Sequence, residues 1–168
     1  MRGITLIGMP GSGKSTIGKL SAAKIDFDFL DLDVYIAANE KKNVATIVRE
    51  NGEVPLISLE EKYALEVPLV DTVLSPGGSI VYSPRAMERL QKETTVIFLD
   101  VSLEEIRRRL DNIAERGIVG LREKSLEELY RERVPLYRKY AHATVDATKL
   151  SEGEIVEKCV KLLPLKKT

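Results

Sequence analysis

The chain has 168 residues, 31% of them charged, with 26 Lys plus Arg against 26 Asp plus Glu and a formal net charge of +0. That balance excludes a field-wide attraction to nucleic acid or to a membrane surface, and the length fits one domain with a core of its own. The one cysteine, Cys159, excludes an intramolecular disulfide, and no apolar run is long enough to span a bilayer, so a cytoplasmic protein is expected.

Taken in chain order, GITLIG (3–8) is a short apolar run of strand formers that ends in a glycine loop, and KSTIGKLSAAKI continues with helical spacing. FDFLD (27–31) reads as a second strand. VYIAANE and VATIVREN read as short helices, the second stopped by Asn51-Gly52. Pro55 can open a further helix, PLISLEEKYALEV, ending near Pro68. LVDTVLS (69–75) is the third strand and closes on Pro76-Gly77-Gly78. Ser83-Pro84 suits a helix start for PRAMERLQ, and TTVIFLD (94–100) is the fourth strand. Capping-box patterns at Ser102–Glu105, Ser125–Glu128 and Ser151–Glu154 each predict a helix start. Between the first two lies DNIAERGIVGLREK, polar and without a strand pattern. HATVDA (142–147) is the fifth strand, and His142, the single histidine, is read as structural. Strands that alternate with helices require crossovers and a parallel sheet, so the fold class is α/β, with ligands beyond the carboxyl ends of the strands.

The sharpest chemical signal is Gly8-Met-Pro-Gly-Ser-Gly13-Lys14-Ser15, which matches the P-loop pattern between a predicted strand and helix. Its glycines let backbone N–H groups converge on phosphate oxygens at a helix N-terminus. Lys14 neutralises the β- and γ-phosphates and Ser15 turns its hydroxyl to Mg²⁺. Gly11, Ser12, Gly13 and Thr16 complete the nucleotide-binding set. No Asn-Lys-x-Asp follows a strand, which argues against a GTPase, and the length argues against a motor. Small-molecule kinases remain.

The order of GMPGSGKSTIG, FLDLDVYI, LSPGGSIVYSP, RVPLYRKYA and VDAT resembles the shikimate kinase family over nearly the whole chain. The resemblance implies one P-loop kinase domain over 1–168. It has a five-stranded parallel sheet sandwiched by helices, acceptor-binding helices at about 33–66 and a mobile lid at about 111–124. It implies ATP and Mg²⁺ as cofactors, a small hydroxylated acceptor as partner, and a monomer. Asp31 then helps hold Mg²⁺ and Asp33 binds the acceptor hydroxyl and takes its proton. Two residues apart on a strand, both side chains would face one cleft; the alternative for Asp33 is a helix N-cap. Gly77 and Gly78 bring backbone amides to the acceptor, Arg133 pairs with its carboxylate, Arg116 in the lid reaches the transferred phosphate, and Arg109 stacks on adenine.

The chain departs from the family in its acceptor half. Within GEVPLISLEE, Leu56 and Ile57 replace the Phe-Arg of a Phe-Arg-x-x-Glu pattern, and Ile57 cannot bind a carboxylate. Ser79 stands where a further glycine is common, and Pro76 where an aliphatic residue is. These departures favour an acceptor other than shikimate, with shikimate the second choice. Glu60, Glu61, Lys62 and Tyr63 are the side chains placed to take over the lost contact. A nucleotide-binding regulatory module with weak ATPase activity and a nucleoside monophosphate kinase are the alternatives.

Overall fold

A computed structural model describes residues 3–110, 118–121 and 123–163. Five parallel strands form one sheet: β1 (Ile4–Ile7), β2 (Asp28–Asp31), β3 (Thr72–Ser75), β4 (Thr95–Asp100) and β5 (Ala143–Asp146), in the order β2-β3-β1-β4-β5. The central strands β1 and β3 are buried at every position, as apolar runs without alternation predict for a sheet covered on both faces. The edge strands β2 and β5 have exposed positions.

The helices between them are α1 (Lys14–Ile25), α2 (Leu32–Glu40), α3 (Val44–Asn51), α4 (Glu53–Glu66), α5 (Pro84–Glu93), α6 (Leu103–Arg109), α7 (Leu126–Tyr140) and α8 (Glu152–Lys161), with a 3₁₀ turn at Gly78–Tyr82. The chain leaves β1 toward one edge and later returns to build the other side, so β1 lies at the topological switch point. Its carboxyl end, where the P-loop begins, is the expected ligand crevice. The fold class read from the sequence is the one observed.

Local chemistry explains most element boundaries. Full capping boxes form at Ser125 and Ser151, where serine and Glu128 or Glu154 exchange hydrogen bonds with the backbone. At Ser102 only half the box exists: the hydroxyl accepts from Glu105 N, but the Glu105 carboxylate binds Arg108 and Arg109. Two strong guanidinium partners outcompete one backbone amide, and they hold the Glu105 carboxyl at about 2, well below its ordinary range. Pro55 does not open its helix. α4 begins two residues earlier at Glu53, directly after Gly52, and Pro55 sits in the first turn, where no N–H is needed. Ser83 precedes α5 without a side-chain cap, and Pro84 alone marks that start.

The core lies on both faces of the sheet. On one side Phe98 of β4 stacks on Tyr137 of α7, with ring centroids 5.2 Å apart. This contact fixes the rotation of α7, and Arg133, one turn earlier on the same face, is thereby carried to the carboxyl end of the sheet. His142 links strand ends through Val96 N, which donates to its Nδ1 at 3.0 Å, in keeping with a structural role. Cys159 is fully buried, and burial pushes its thiol up to about 12. Among the described residues no helix is long and apolar enough to cross a membrane.

Candidate active site

The P-loop wraps the end of β1 as its glycines require. Gly8, Gly11 and Gly13 have φ of 154°, 80° and 92°, conformations that side-chain-bearing residues adopt only with strain. They turn the loop so that α1 starts at Lys14. The Lys14 ammonium is nearly buried and donates to the carbonyls of Gly8 and Met9 at 2.9 and 3.0 Å. Burial, only partly offset by Asp33, lowers its pKa to about 8. Ser12 carries a buried hydroxyl oxygen with no protein partner. An ammonium folded onto loop carbonyls at the N-terminus of a helix is a fit for phosphate. Gly11, Gly13, Lys14, Ser15, Thr16 and Arg109 line one cleft beside the loop. Arg109 is held there by Glu105 at 2.7 Å, with Nη1 3.4 Å from the Gly11 carbonyl.

The two aspartates divide their roles in a way the strand argument did not foresee. Asp31 ends β2 and is itself the N-cap of α2, its Oδ1 accepting from Asp33 N at 3.1 Å and Val34 N at 3.3 Å. Its Oδ2 accepts from the Ser15 hydroxyl at 2.6 Å. Asp33 is already in the first helical turn, so it is not the cap, and the same-side rule for strands does not apply to the pair. Both nevertheless line one cavity, because the chain turns from strand to helix between them. Asp33 Oδ1 is buried and has no hydrogen-bond partner. Burial first, and then the neighbouring Asp31 charge, push its carboxyl up to about 6. Ser15 and Asp31 together offer the oxygen donors that Mg²⁺ takes from a protein when substrate phosphates and water supply the rest.

That cavity, about 310 Å³, joins the P-loop to an acceptor half lined by Leu56 and Glu60 of α4, the Ser75–Ser79 segment after β3, Ile118, Val119 and Arg133. Arg133 is only 1% exposed. Its Nε donates to the Tyr82 hydroxyl at 3.1 Å and its Nη2 to the Val119 carbonyl at 2.8 Å. Tyr137 donates to the Gly78 carbonyl at 2.7 Å and so seats the glycine segment against α7. The Gly120 amide donates to Glu53 Oε1 at 2.7 Å, tying the later part of the expected lid to the start of α4. Arg116 lies outside the described residues.

Glu60 was not singled out as a site residue from the sequence, although it was among four side chains near the lost arginine contact. It is 1% exposed, and the Ser79 hydroxyl lies 2.8 Å from its Oε1 and 2.6 Å from its Oε2. Burial pushes its carboxyl up to about 8, against the opposing effect of the Ser79 hydrogen bond. The signal that reaches it is helical phase: Leu56, Glu60, Tyr63 and Ala64 form the buried face of α4. Ile57 stands one residue out of that phase. It packs against the core and is not among the residues lining the cavity. Of the other three candidates, Glu61 pairs with Arg85, Lys62 lies 4.6 Å over the Tyr63 ring, and Tyr63 donates to Glu40.

The shikimate kinase family profile matches residues 10–164. The chain is 34% identical to shikimate kinase from Thermodesulfovibrio yellowstonii over 164 residues, which cover 96% of this chain and 94% of that one. It is 37% identical to the Mycobacterium avium shikimate kinase over 163 residues, covering 95% and 92%. Among solved structures, shikimate kinase from Acinetobacter baumannii in complex with shikimate superimposes with a TM-score of 0.88 at 27% identity, over 96% and 92% of the two chains. The chain belongs to the shikimate kinase family. Those shikimate kinases give no support to the expectation, drawn from Ile57, of a different acceptor.

Proposed function

We propose that this chain transfers the γ-phosphoryl group of Mg·ATP to a hydroxyl of shikimate. The observation that carries this reading is the single cavity in which Lys14, Ser15 and Asp31 of the phosphate half adjoin Asp33, Gly77, Gly78 and Arg133 of the acceptor half. Family membership over most of the chain supports the choice of acceptor.

Ser15 and Asp31 would hold Mg²⁺, which would supply charge neutralisation on the transferring group when bound. Gly11, Ser12, Gly13 and Thr16 hold the nucleotide phosphates through the loop and the α1 N-terminus, and Lys14 swings from its loop carbonyls to the phosphate oxygens. Arg109 borders the nucleotide cleft, where its guanidinium can stack on the base. Asp33, raised toward neutrality by its burial, accepts the proton of the attacking hydroxyl as the new P–O bond forms and the bond to the leaving ADP breaks. Arg133 pairs with the acceptor carboxylate, the amides of Gly77 and Gly78 approach the ring, and Arg116 has the role that the family resemblance implies, stabilising charge on the transferred phosphoryl group. Positioning and electrostatics supply most of the acceleration.

The test is ADP release by the purified protein with Mg·ATP, with and without millimolar shikimate. Shikimate-dependent turnover is the expected result. ATP binding without stimulation by shikimate, and then without stimulation by neutral polyols, sugars or nucleoside monophosphates, would leave a nucleotide-binding module instead.

A further inference from the structure

Two positions in the acceptor half depart from the family pattern, Ile57 in place of arginine and Ser79 in place of glycine, and the structure brings their consequences together on Glu60. We propose that Glu60 and Ser79 form an uncharged acid–hydroxyl pair in the acceptor pocket. This pair spares the pocket an uncompensated anion where the family pattern has a cation at position 57, and leaves Arg133 as the charged partner of the acceptor's carboxylate among the described residues. The inference rests on the reading above that the acceptor is shikimate.

The surroundings disfavour a charge on Glu60. The Ser79 oxygen lies within hydrogen-bond distance of both carboxyl oxygens, at 2.8 and 2.6 Å. The hydroxyl has one proton to share between the two oxygens, little compensation for a buried charge. Glu60 forms no ion pair among the described residues. The charged and titratable groups that face it are Asp33 from α2, Lys14 from the P-loop, and Arg133 and Tyr137 from α7. None of them neutralises it directly. Lys14 is engaged by the Gly8 and Met9 carbonyls, Arg133 by Tyr82 and the Val119 carbonyl, and Tyr137 by the Gly78 carbonyl.

Asp33 adds the reason for the proton. A Cβ built on Gly77 would lie 2.2 Å from Glu60 Oε1 and 3.2 Å from Asp33 Oδ1, so the two carboxyls converge over one glycine. Two buried like charges that close disfavour each other, and one proton relieves the pair. In the family pattern an arginine at position 57 would stand three residues before Glu60, where helical spacing lets the two pair as ions. Here a cation is gone and an anion is neutralised with it, so the acceptor carboxylate meets Arg133 without a second negative charge facing it. Ser79 is a positioning residue: its hydroxyl donates to the acid and holds it in place.

Infrared difference spectra of the whole protein between about pH 7 and pH 10, without acceptor, test the protonation directly. A protonated-carboxyl C=O band that is present at the lower pH, titrates with a midpoint near 8 and is missing in E60Q is expected. Its absence in the wild type near pH 7 overturns the proposal, whatever the acceptor. In parallel, at saturating Mg·ATP, the KM for shikimate is expected to rise about fivefold or more between those pH values, because an ionised Glu60 then faces the carboxylate. E60Q is expected to lose that rise, and S79A to move the infrared midpoint upward, since the Ser79 hydrogen bond favours the ionised form. A flat wild-type KM, or the same rise in E60Q, overturns the role assigned to the pair. Should the wild type not turn over shikimate at all, the functional reading fails, and the infrared result still decides the state of Glu60; should E60Q not fold, S79A decides the band's assignment.

Discussion

Asp31 and Asp33 are two residues apart, and one turn of chemistry separates them. Asp31 has both oxygens engaged, one by the backbone of α2 and one by the Ser15 hydroxyl, so it is fixed beside the P-loop. Asp33 keeps a buried oxygen without a partner, the condition of a group that awaits a donor such as an acceptor hydroxyl. Asp33→Asn is therefore expected to lower kcat roughly 10²- to 10⁴-fold, the range for loss of a general base. Nucleotide affinity, measured by calorimetry, should stay within about twofold. Glu60 makes a separate prediction about stability. Its folded pKa, about 8, lies above the ordinary 4.5, so the folded protein keeps a proton that the unfolded chain releases. Below pH 4.5 both states are protonated and the contribution is fully present; it declines as pH rises and is gone above about 8. The slope from this one group is at most about 1.4 kcal/mol per pH unit. Urea unfolding at several pH values checks it: the wild type should lose stability across that window relative to E60Q.

Helix starts illustrate how neighbours decide what a local motif becomes. The same Ser-x-x-Glu spacing gives two complete capping boxes and one half box, because only Glu105 has arginines three and four residues ahead of it. Ser125→Ala removes the cap of α7, the helix that carries Arg133 and Tyr137, and should cost about 1 kcal/mol in urea unfolding with an unchanged m-value. Ser102→Ala should cost less, since its cap has no reciprocal half. Arg89 shows a stitch between elements that no local motif announces. From α5 it donates to the carbonyls of Ala64 and Val67 at 2.8 and 3.0 Å, satisfying the end of α4.

Across the whole molecule the site exists only because the strand order gathers the ends of β1, β2 and β3 at one rim and lays α4 and α7 across it. Gly77 marks how tightly that rim is closed. Its φ of −59° is open to any residue, so the demand for glycine is steric. Gly77→Ala would drive a methyl group into Glu60 and toward Asp33. The KM for shikimate is expected to rise about tenfold or more, equivalent to ~1.4 kcal/mol, with nucleotide affinity kept within about twofold. A matched loss of ATP binding in the same calorimetric titrations would mean that the loop, and not the acceptor pocket, had moved.

Much of this was legible in the residues themselves. The P-loop, the alternation of strands and helices and the glycine segment after β3 are local patterns whose physics acts over a few residues, and they determined the fold class, the phosphate half of the site and the resemblance to a family. The acceptor half was less legible. Ile57 read as a lost contact, and a sequence shows which side chain is absent but not what else the turn of a helix brings into the pocket. Packing of Leu56, Tyr63 and Ala64 against the core set the phase of α4, put Glu60 in the pocket and left Ile57 out of it. Only the tertiary structure could join Ser79 to Glu60 across nineteen residues and show Asp31, not Asp33, as the cap of α2. Both depend on which atoms finally lie within a hydrogen bond's reach, a distance settled by the packing of several elements at once.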